Sequence, residues 1–80
     1  MAAIPRPKPC YLDNFEVWKT VGGQKVWRNE EGSRLYTWDA MHGEIEVFNE
    51  WGYHLGVIDA VSGELLKHKQ AVKGRKINIK

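Results

Sequence analysis

Eighty residues with a net charge of +2 make one domain with one modest core, since a chain of this length buries only about 60–65% of the surface its unfolded form exposes. Hydrophobic residues at 42% and charged residues at 28% place it among globular chains rather than disordered ones. The single cysteine, the lack of any apolar run near the ~18 residues of a membrane span, and the short length exclude a disulfide mini-protein, a Cys-rich zinc module, a membrane protein and a Rossmann enzyme.

The first residues, Met1-Ala2-Ala3-Ile4-Pro5, lack the basic-then-apolar layout of a signal peptide. Residues 4–9 then alternate proline with other residues, which biases the backbone to extended structure and predicts a proline-rich lead-in or linker over residues 1–11. Leu12, Phe15 and Trp18 fall at helical spacing, with Asp13 or Asn14 as a cap, and predict one short helix over 12–19 that Gly22-Gly23 ends. From there the chain reads as strands and turns. Gln24–Arg28 and Arg34–Trp38 are rich in strand formers and flank the turn Asn29-Glu30-Glu31-Gly32. Glu44–Phe48 alternates acid with aliphatic, Asn49–Gly52 turns, and Tyr53–Ile58 is a further strand. Asp59–Gly63 turns again, and Glu64–Lys67 and a piece near Lys76–Ile79 complete the set. Five or six short strands at this spacing predict an antiparallel meander.

Charge is split along the chain. Residues 1–66 carry six Lys/Arg against ten Asp/Glu, a balance of −4, and residues 67–80 carry six Lys/Arg and no acid, a balance of +6. A basic tail on an acidic body is either a phosphate-binding arm or a solvated terminus.

Four titratable side chains lie within Asp39-Ala40-Met41-His42-Gly43-Glu44-Ile45-Glu46. On a strand Glu44 and Glu46 share a face, and Asp39 and His42 sit at the turn just before them, so all four can converge. A histidine beside carboxylates, with no nucleophilic serine or cysteine nearby, suits general acid–base work. That pair of roles fits attack of an RNA 2′-hydroxyl on its own phosphodiester, with a cation from Lys67, Arg75 or Lys76 meeting the charge that grows on the phosphate. The same spacing admits a metal site, though His54 and His68 are each separated from the cluster by a turn or more, and it admits a polar sheet face with a hydrogen-bonded histidine. Trp38, Trp51 and Tyr36 are either core or base-stacking surfaces. Cys10, in the lead-in, has no base partner that would make it a nucleophile.

The run Arg34-Leu35-Tyr36-Thr37-Trp38-Asp39-Ala40-Met41-His42-Gly43-Glu44-Ile45-Glu46 resembles the catalytic segment of the ribosome-inactivating colicin and pyocin cytotoxic ribonuclease domains. So do His54-Leu55-Gly56-Val57-Ile58-Asp59 and Ser62-Gly63-Glu64-Leu65-Leu66-Lys67, with Trp27 and Gly32 fitting the approach strand and turn. The resemblance covers about residues 26–80. It implies a mainly β (α+β) fold, a small, highly twisted antiparallel sheet with one short N-terminal helix, with residues 12–80 as the single ribonuclease domain. It implies a toxin that cuts 16S ribosomal RNA once, in the decoding site of the ribosome, with no metal or other cofactor, and that is neutralised by a small acidic immunity protein or antitoxin. Such a domain acts in the bacterial cytoplasm as a monomer, either as the payload of a larger secreted toxin or as a free-standing one.

By position, the resemblance makes Glu46 the base on the 2′-hydroxyl, His42 the acid on the leaving oxygen, and Asp39 the group that orients His42. Glu44 is a further acidic position near the site. The family's C-terminal arginine falls at Arg75, but the tail spacing differs by about a residue, so Lys76 competes for that role. Lys67 matches a basic position that contacts RNA. Phe48 stands where close members have tyrosine, which removes a phenolic hydroxyl and leaves stacking on a base. The competing reading is a non-catalytic sheet module that binds RNA or protein through its aromatic face, and a metal-dependent nuclease is a third.

Overall fold

The computed structural model describes residues 3–79, and for residues 67–70 the backbone alone. Six strands form one antiparallel sheet in sequence order: β1 (Glu16–Val21), β2 (Gln24–Arg28), β3 (Arg34–Asp39), β4 (Glu44–Asn49), β5 (His54–Ile58) and β6 (Leu65–Gln70). The expected meander is therefore present, and each neighbour pair is joined by a short turn.

The predicted helix over 12–19 is shorter than its spacing suggested. Helical structure is confined to a single 3-10 turn, Tyr11–Asn14, and Glu16–Val21 is strand. The reason lies in Gly22-Gly23. Both residues have positive φ, 57° and 80°, and Val21 pairs directly with Gln24. Two consecutive left-handed residues make the two-residue hairpin turn whose twist matches that of its flanking strands. The residues before it are thereby committed to pairing with β2, and Val17, Thr20 and Val21 are β-branched side chains suited to that.

Side-chain alternation divides the sheet into two covered faces. On one, Leu12 and Cys10 pack with Trp27, Tyr36, Ile45, Val47 and Ile58, and Tyr11, Phe15 and Trp38 close the edges. The N-terminal segment covers this face. Tyr11 donates its N–H to the Ala60 carbonyl at 2.7 Å, and the Asp13 carboxylate accepts the Cys10 N–H at 2.9 Å. On the other face Val26, Leu35 and Phe48 are buried beneath Ile77 and Ile79 of the C-terminal tail, with Trp18 and Val21 beside them. Burying an aliphatic or aromatic side chain of this size contributes about 1.5–3 kcal/mol, so each terminus is fastened by apolar contacts as well as by hydrogen bonds.

The tail continues along β5 after β6. The Arg75 carbonyl accepts the His54 N–H at 3.0 Å, Tyr53 bridges Lys76, and Ile77 donates to the Gly52 carbonyl at 2.9 Å. Farther on, the Lys19 ammonium donates to the Ile79 carbonyl. Alternation along this segment turns Arg75 and Ile77 toward the sheet and Lys76 away from it.

Candidate active site

Asp39 ends β3, and the next four residues turn the chain into β4. The turn closes through the Gly43 N–H on the Asp39 carbonyl at 2.8 Å. One oxygen of the Asp39 carboxylate accepts the N–H groups of Met41 (3.1 Å) and His42 (3.3 Å), and the other lies 2.7 Å from His42 Nδ1. A single carboxylate thus holds both the turn and the imidazole. It also fixes the ring's direction, because Nδ1 is engaged and Nε2 is left facing outward. Burial pushes the Asp39 carboxyl up, but the hydrogen bonds from His42 and Met41 outweigh it and hold the group below its ordinary value. The His42 side chain is 53% exposed, open to a large substrate.

Glu46 sits in the middle of β4. The register pairs Asp39 with Glu44 and Thr37 with Glu46, so Glu44, Glu46, Asp39 and Thr37 share the face covered by the tail. Two residues of strand separate the Asp39–Glu44 level from Glu46, roughly 7 Å. The Glu46 side chain is only 12% exposed. The Arg75 guanidinium meets it with two parallel bonds, Nη1 to Oε1 and Nη2 to Oε2, the second at 2.6 Å. This fork-on-fork contact is the strongest geometry available to an arginine and a carboxylate. Hydrogen bonding to Glu46 raises the Arg75 pKa against the effect of burial, and the charges of Glu46 and, across the site, Asp39 act in the same direction. The guanidinium also lies over the Phe48 ring, 5.8 Å from its centroid.

Sequence reasoning set His54 aside as too distant in the chain. The fold brings it to Glu46: a bulge between Val47 and Phe48 sets Phe48 opposite His54, on the tail-covered face. The His54 side chain is 1% exposed, and its Nε2 lies 3.5 Å from Glu46 Oε1 with no closer partner. Its Nδ1 accepts the Val72 N–H at 2.9 Å, so in the neutral ring the proton is on Nε2, facing the carboxylate. Burial lowers the His54 pKa, opposed by the charge of Glu46 and assisted by that of Arg75. The signal that could have found it is the hairpin: a turn at 49–52 sets His54 across from Phe48, on the face of Glu46.

The other expected residues divide. Glu44 is half-buried at the level of Asp39. Lys76 is exposed and turned away from Glu46, its ammonium 5.1 Å from the Tyr53 ring centroid, so of the two competing cations it is Arg75 that reaches the carboxylate. The Lys67 side chain lies outside the described residues. Two expectations need correcting. Phe48 is fully buried, its ring edge-on to His54 and covered by Arg75, so no face is open to stack on a base. Tyr36 is 7% exposed on the opposite face of the sheet, stacked on Phe15 at 4.4 Å between centroids, and its hydroxyl pKa is raised by burial. Both rings are packing elements because β3 and β4 are covered on both sides. Trp51, by contrast, is 65% exposed.

Among the described residues no three His, Cys, Asp or Glu side chains converge as metal ligands, and no helix is long and apolar enough to cross a membrane. What converges is a carboxylate–arginine–histidine group at mid-sheet and a carboxylate–histidine couple at the turn, both on one face.

A family model described as "Cytotoxic" matches residues 6–78. The chain belongs to the Cytotoxic domain family. It is 40% identical over 47 residues to Colicin E3 of Escherichia coli and 38% identical over 48 residues to Colicin-E6 of the same organism. Each match covers 58% of this chain, but only 8% and 9% of those proteins, so the chain corresponds to a small part of a much longer toxin. The family resemblance drawn from the Arg34–Glu46 run and the two segments after it holds, and the mainly β fold with its short N-terminal helical turn agrees with it.

Proposed function

We propose that this chain is a ribonuclease domain of a bacterial toxin that cleaves 16S ribosomal RNA within the ribosomal decoding site without a metal ion. The observation that carries the reading is the bidentate Arg75–Glu46 pair backed by buried His54, lying on the same sheet face as the Asp39–His42 couple. A carboxylate, a guanidinium and an exposed imidazole on one face are the parts that transfer of a phosphodiester to its neighbouring 2′-hydroxyl requires.

In this reading the scissile phosphate enters beside Arg75 and draws the guanidinium onto its non-bridging oxygens. Glu46 accepts the proton of the 2′-hydroxyl as the O2′–P bond forms. The P–O5′ bond breaks, and His42 gives the proton on Nε2 to the departing O5′. The products are a 2′,3′-cyclic phosphate and a 5′-hydroxyl, and no redox partner or further reactant is needed. Asp39 holds His42 through Nδ1 and faces it with an opposite charge. His54 holds Glu46 from behind, where its Nε2–H has no other partner. Removal of one preorganised group that meets developing charge costs about 10²–10³ in rate. Glu44 is a further acidic group beside the site, Lys67 is a basic position that contacts RNA by the family resemblance alone, and a small acidic immunity protein is the partner that neutralises the domain.

The test is a cleavage assay with purified protein and bacterial ribosomes in chelator, beside His42→Ala and Glu46→Ala. A single fragment from the 3′ end of the small-subunit RNA, lost in both variants, is the expected result. Intact RNA in all three reactions overturns the reading and leaves a binding module.

A further inference from the structure

The turn that carries His42 is braced from outside by Ile4, at the start of the proline-rich lead-in. The Ile4 N–H donates to the Ala40 carbonyl at 2.8 Å, and the Ile4 carbonyl accepts the indole Nε1–H of Trp38 at 3.0 Å. Its side chain fills the space beside Gly43: a Cβ on that glycine, whose φ is +67°, would stand 3.2 Å from Ile4 Cγ2. One residue therefore touches positions 38, 40 and 43, on both sides of Asp39 and His42. Ile4 is nevertheless 44% exposed, so it is no core residue. The next part of the lead-in is fastened separately, by Arg6 against Asp13 (3.5 Å) and over the Trp27 ring (5.0 Å).

We propose that Ile4 is a positioning residue for His42, a strap that holds the 39–43 turn so that Nε2 keeps its outward direction on the face that carries Glu46. The proposal rests on the reading of His42 as the acid. Asp39 fixes the imidazole relative to the turn, and Ile4 fixes the turn relative to the sheet. Without the strap, the Ala40 carbonyl and the Trp38 indole exchange a fixed partner for water, and the turn gains freedom while Asp39 and His42 keep each other. Displacement of a catalytic group by about 1 Å can cost up to 10²-fold in rate. The loss falls on proton donation to the leaving oxygen, in kcat and not in KM.

Three full-length variants separate the contacts. Ile4→Pro removes both the N–H given to Ala40 and the branched side chain while keeping the carbonyl, Ile4→Gly keeps both backbone groups and removes only the side chain beside Gly43, so that the two differ by the N–H, and Ile4→Val is the conservative control. The readouts are kcat and KM on ribosomes, the alkaline limb of the pH–rate profile, which a proton donor governs, hydrogen exchange of the Trp38 indole, and the NMR signals of the His42 ring. In Ile4→Pro turnover should slow by about 10-fold or more, within the loss a misplaced catalytic group can cause. Ile4→Gly should slow it less, and Ile4→Val not at all. KM stays within about two-fold, since substrate binding is not what the strap sets. The His42 ring signals move and indole exchange is faster in Ile4→Pro. Wild-type turnover and unchanged His42 ring signals in Ile4→Pro overturn the proposal, as does slowed turnover with His42 unmoved. If the unaltered chain cuts no RNA, the functional reading fails by itself, and the indole and imidazole signals still decide whether Ile4 holds the turn.

Discussion

His54 makes two separate contacts through one ring, and amide substitutions divide them. Its Nδ1 accepts the Val72 N–H at 2.9 Å, and its Nε2 stands 3.5 Å from Glu46 Oε1. The oxygen of an asparagine carboxamide reaches the place of Nδ1, and the nitrogen of a glutamine carboxamide reaches the place of Nε2. His54→Asn therefore keeps the tail fastened and removes the donor behind Glu46, while His54→Gln does the reverse. Both lose the edge contact with Phe48, 5.3 Å between centroids, a contribution of about 0.5–1.5 kcal/mol that cancels between them. Nε2 stands too far from Glu46 for a good hydrogen bond, and Arg75 already pairs that carboxylate, so losing the donor costs the resting fold little. The difference that remains is a stranded backbone donor at Val72, which costs about 1–3 kcal/mol. Val72 is half exposed, at 52%, so the low end applies, ~1.5 kcal/mol. At about 4–8 °C per kcal/mol for a domain of this size, His54→Gln should melt roughly 6–12 °C below His54→Asn. Cleavage of ribosomal RNA should order the two the other way. When the phosphate draws Arg75 away, Nε2–H is the donor left behind Glu46, and a hydrogen bond closed there on the charged group, about 1.5–3 kcal/mol, corresponds to roughly 10–100-fold in rate, lost in His54→Asn and largely kept in His54→Gln. Thermal melting by circular dichroism and single-turnover cleavage read the two orders. Equal melting points, or the same order in both assays, would refute the division of labour assigned to the two nitrogens.

Arg75→Lys keeps the charge but not the paired bonds to Glu46, and should slow turnover by about 10²–10³ with little change in ribosome binding; a rate within a few-fold of wild type would show that a point charge suffices. Phe48→Ala empties a fully buried site beneath Arg75 and His54 and should cost about 3–5 kcal/mol in denaturant unfolding, a loss that a merely RNA-stacking ring would not give. The pH dependence of stability follows from His54, whose folded pKa lies below the ~6.5 of the unfolded chain. Between those two values the unfolded state binds more protons, so stability rises with pH there, is fully present above ~6.5 and is lost as pH falls through the folded value. Melting points measured from about pH 7.5 to about pH 5, the range that brackets the histidine, should fall, and His54→Gln should flatten that fall. Asp39 adds a second slope of the same sign below about pH 4, since its folded pKa is also depressed.

The parts of the fold that were legible are those in which a periodic pattern and a turn agree. Glu44-Ile45-Glu46-Val47-Phe48 alternates between two glycine-containing turns, and it is a strand with its acids on one face. Asp39, His42 and Glu46 were legible as neighbours for the same reason, because a hairpin folds that short stretch on itself. Glu16–Val21 was not, because Leu12, Phe15 and Trp18 satisfy a helical period by coincidence: Leu12 belongs to the 3-10 turn and the N-terminal core, while Trp18 packs on the other face of the sheet. The roles of Tyr36 and Phe48 were not legible either. Alternation shows that they point to opposite sides, but not that the N-terminal segment covers one side and the tail the other. His54 was missed because distance was counted along the chain, whereas the bulge at 47–48 sets the register that brings it under Glu46.

The split of charge along the chain gains its meaning from that covering. A carboxylate as enclosed as Glu46 is costly to ionise without an opposite charge beside it, and the body of the domain is acidic overall. The tail supplies the cation, and it does so as packed structure rather than as a solvated arm. Ile77 and Ile79 are held in the second core, the Ile77 N–H is bonded to Gly52, and Arg75 lies two residues before that anchor, turned to the same side. The position of the guanidinium is thus set by apolar burial and sheet pairing, at no cost in ordering when substrate arrives. The same tail closes over His54 through Val72, so Glu46, Arg75 and His54 are ordered together when the segment from Val72 to Ile79 docks. In an 80-residue chain with little core to spare, the segment that completes the second hydrophobic face is also the one that completes the carboxylate–arginine–histidine group. That explains why the cation comes from the far end of the sequence and not from the neighbourhood of Asp39 and His42.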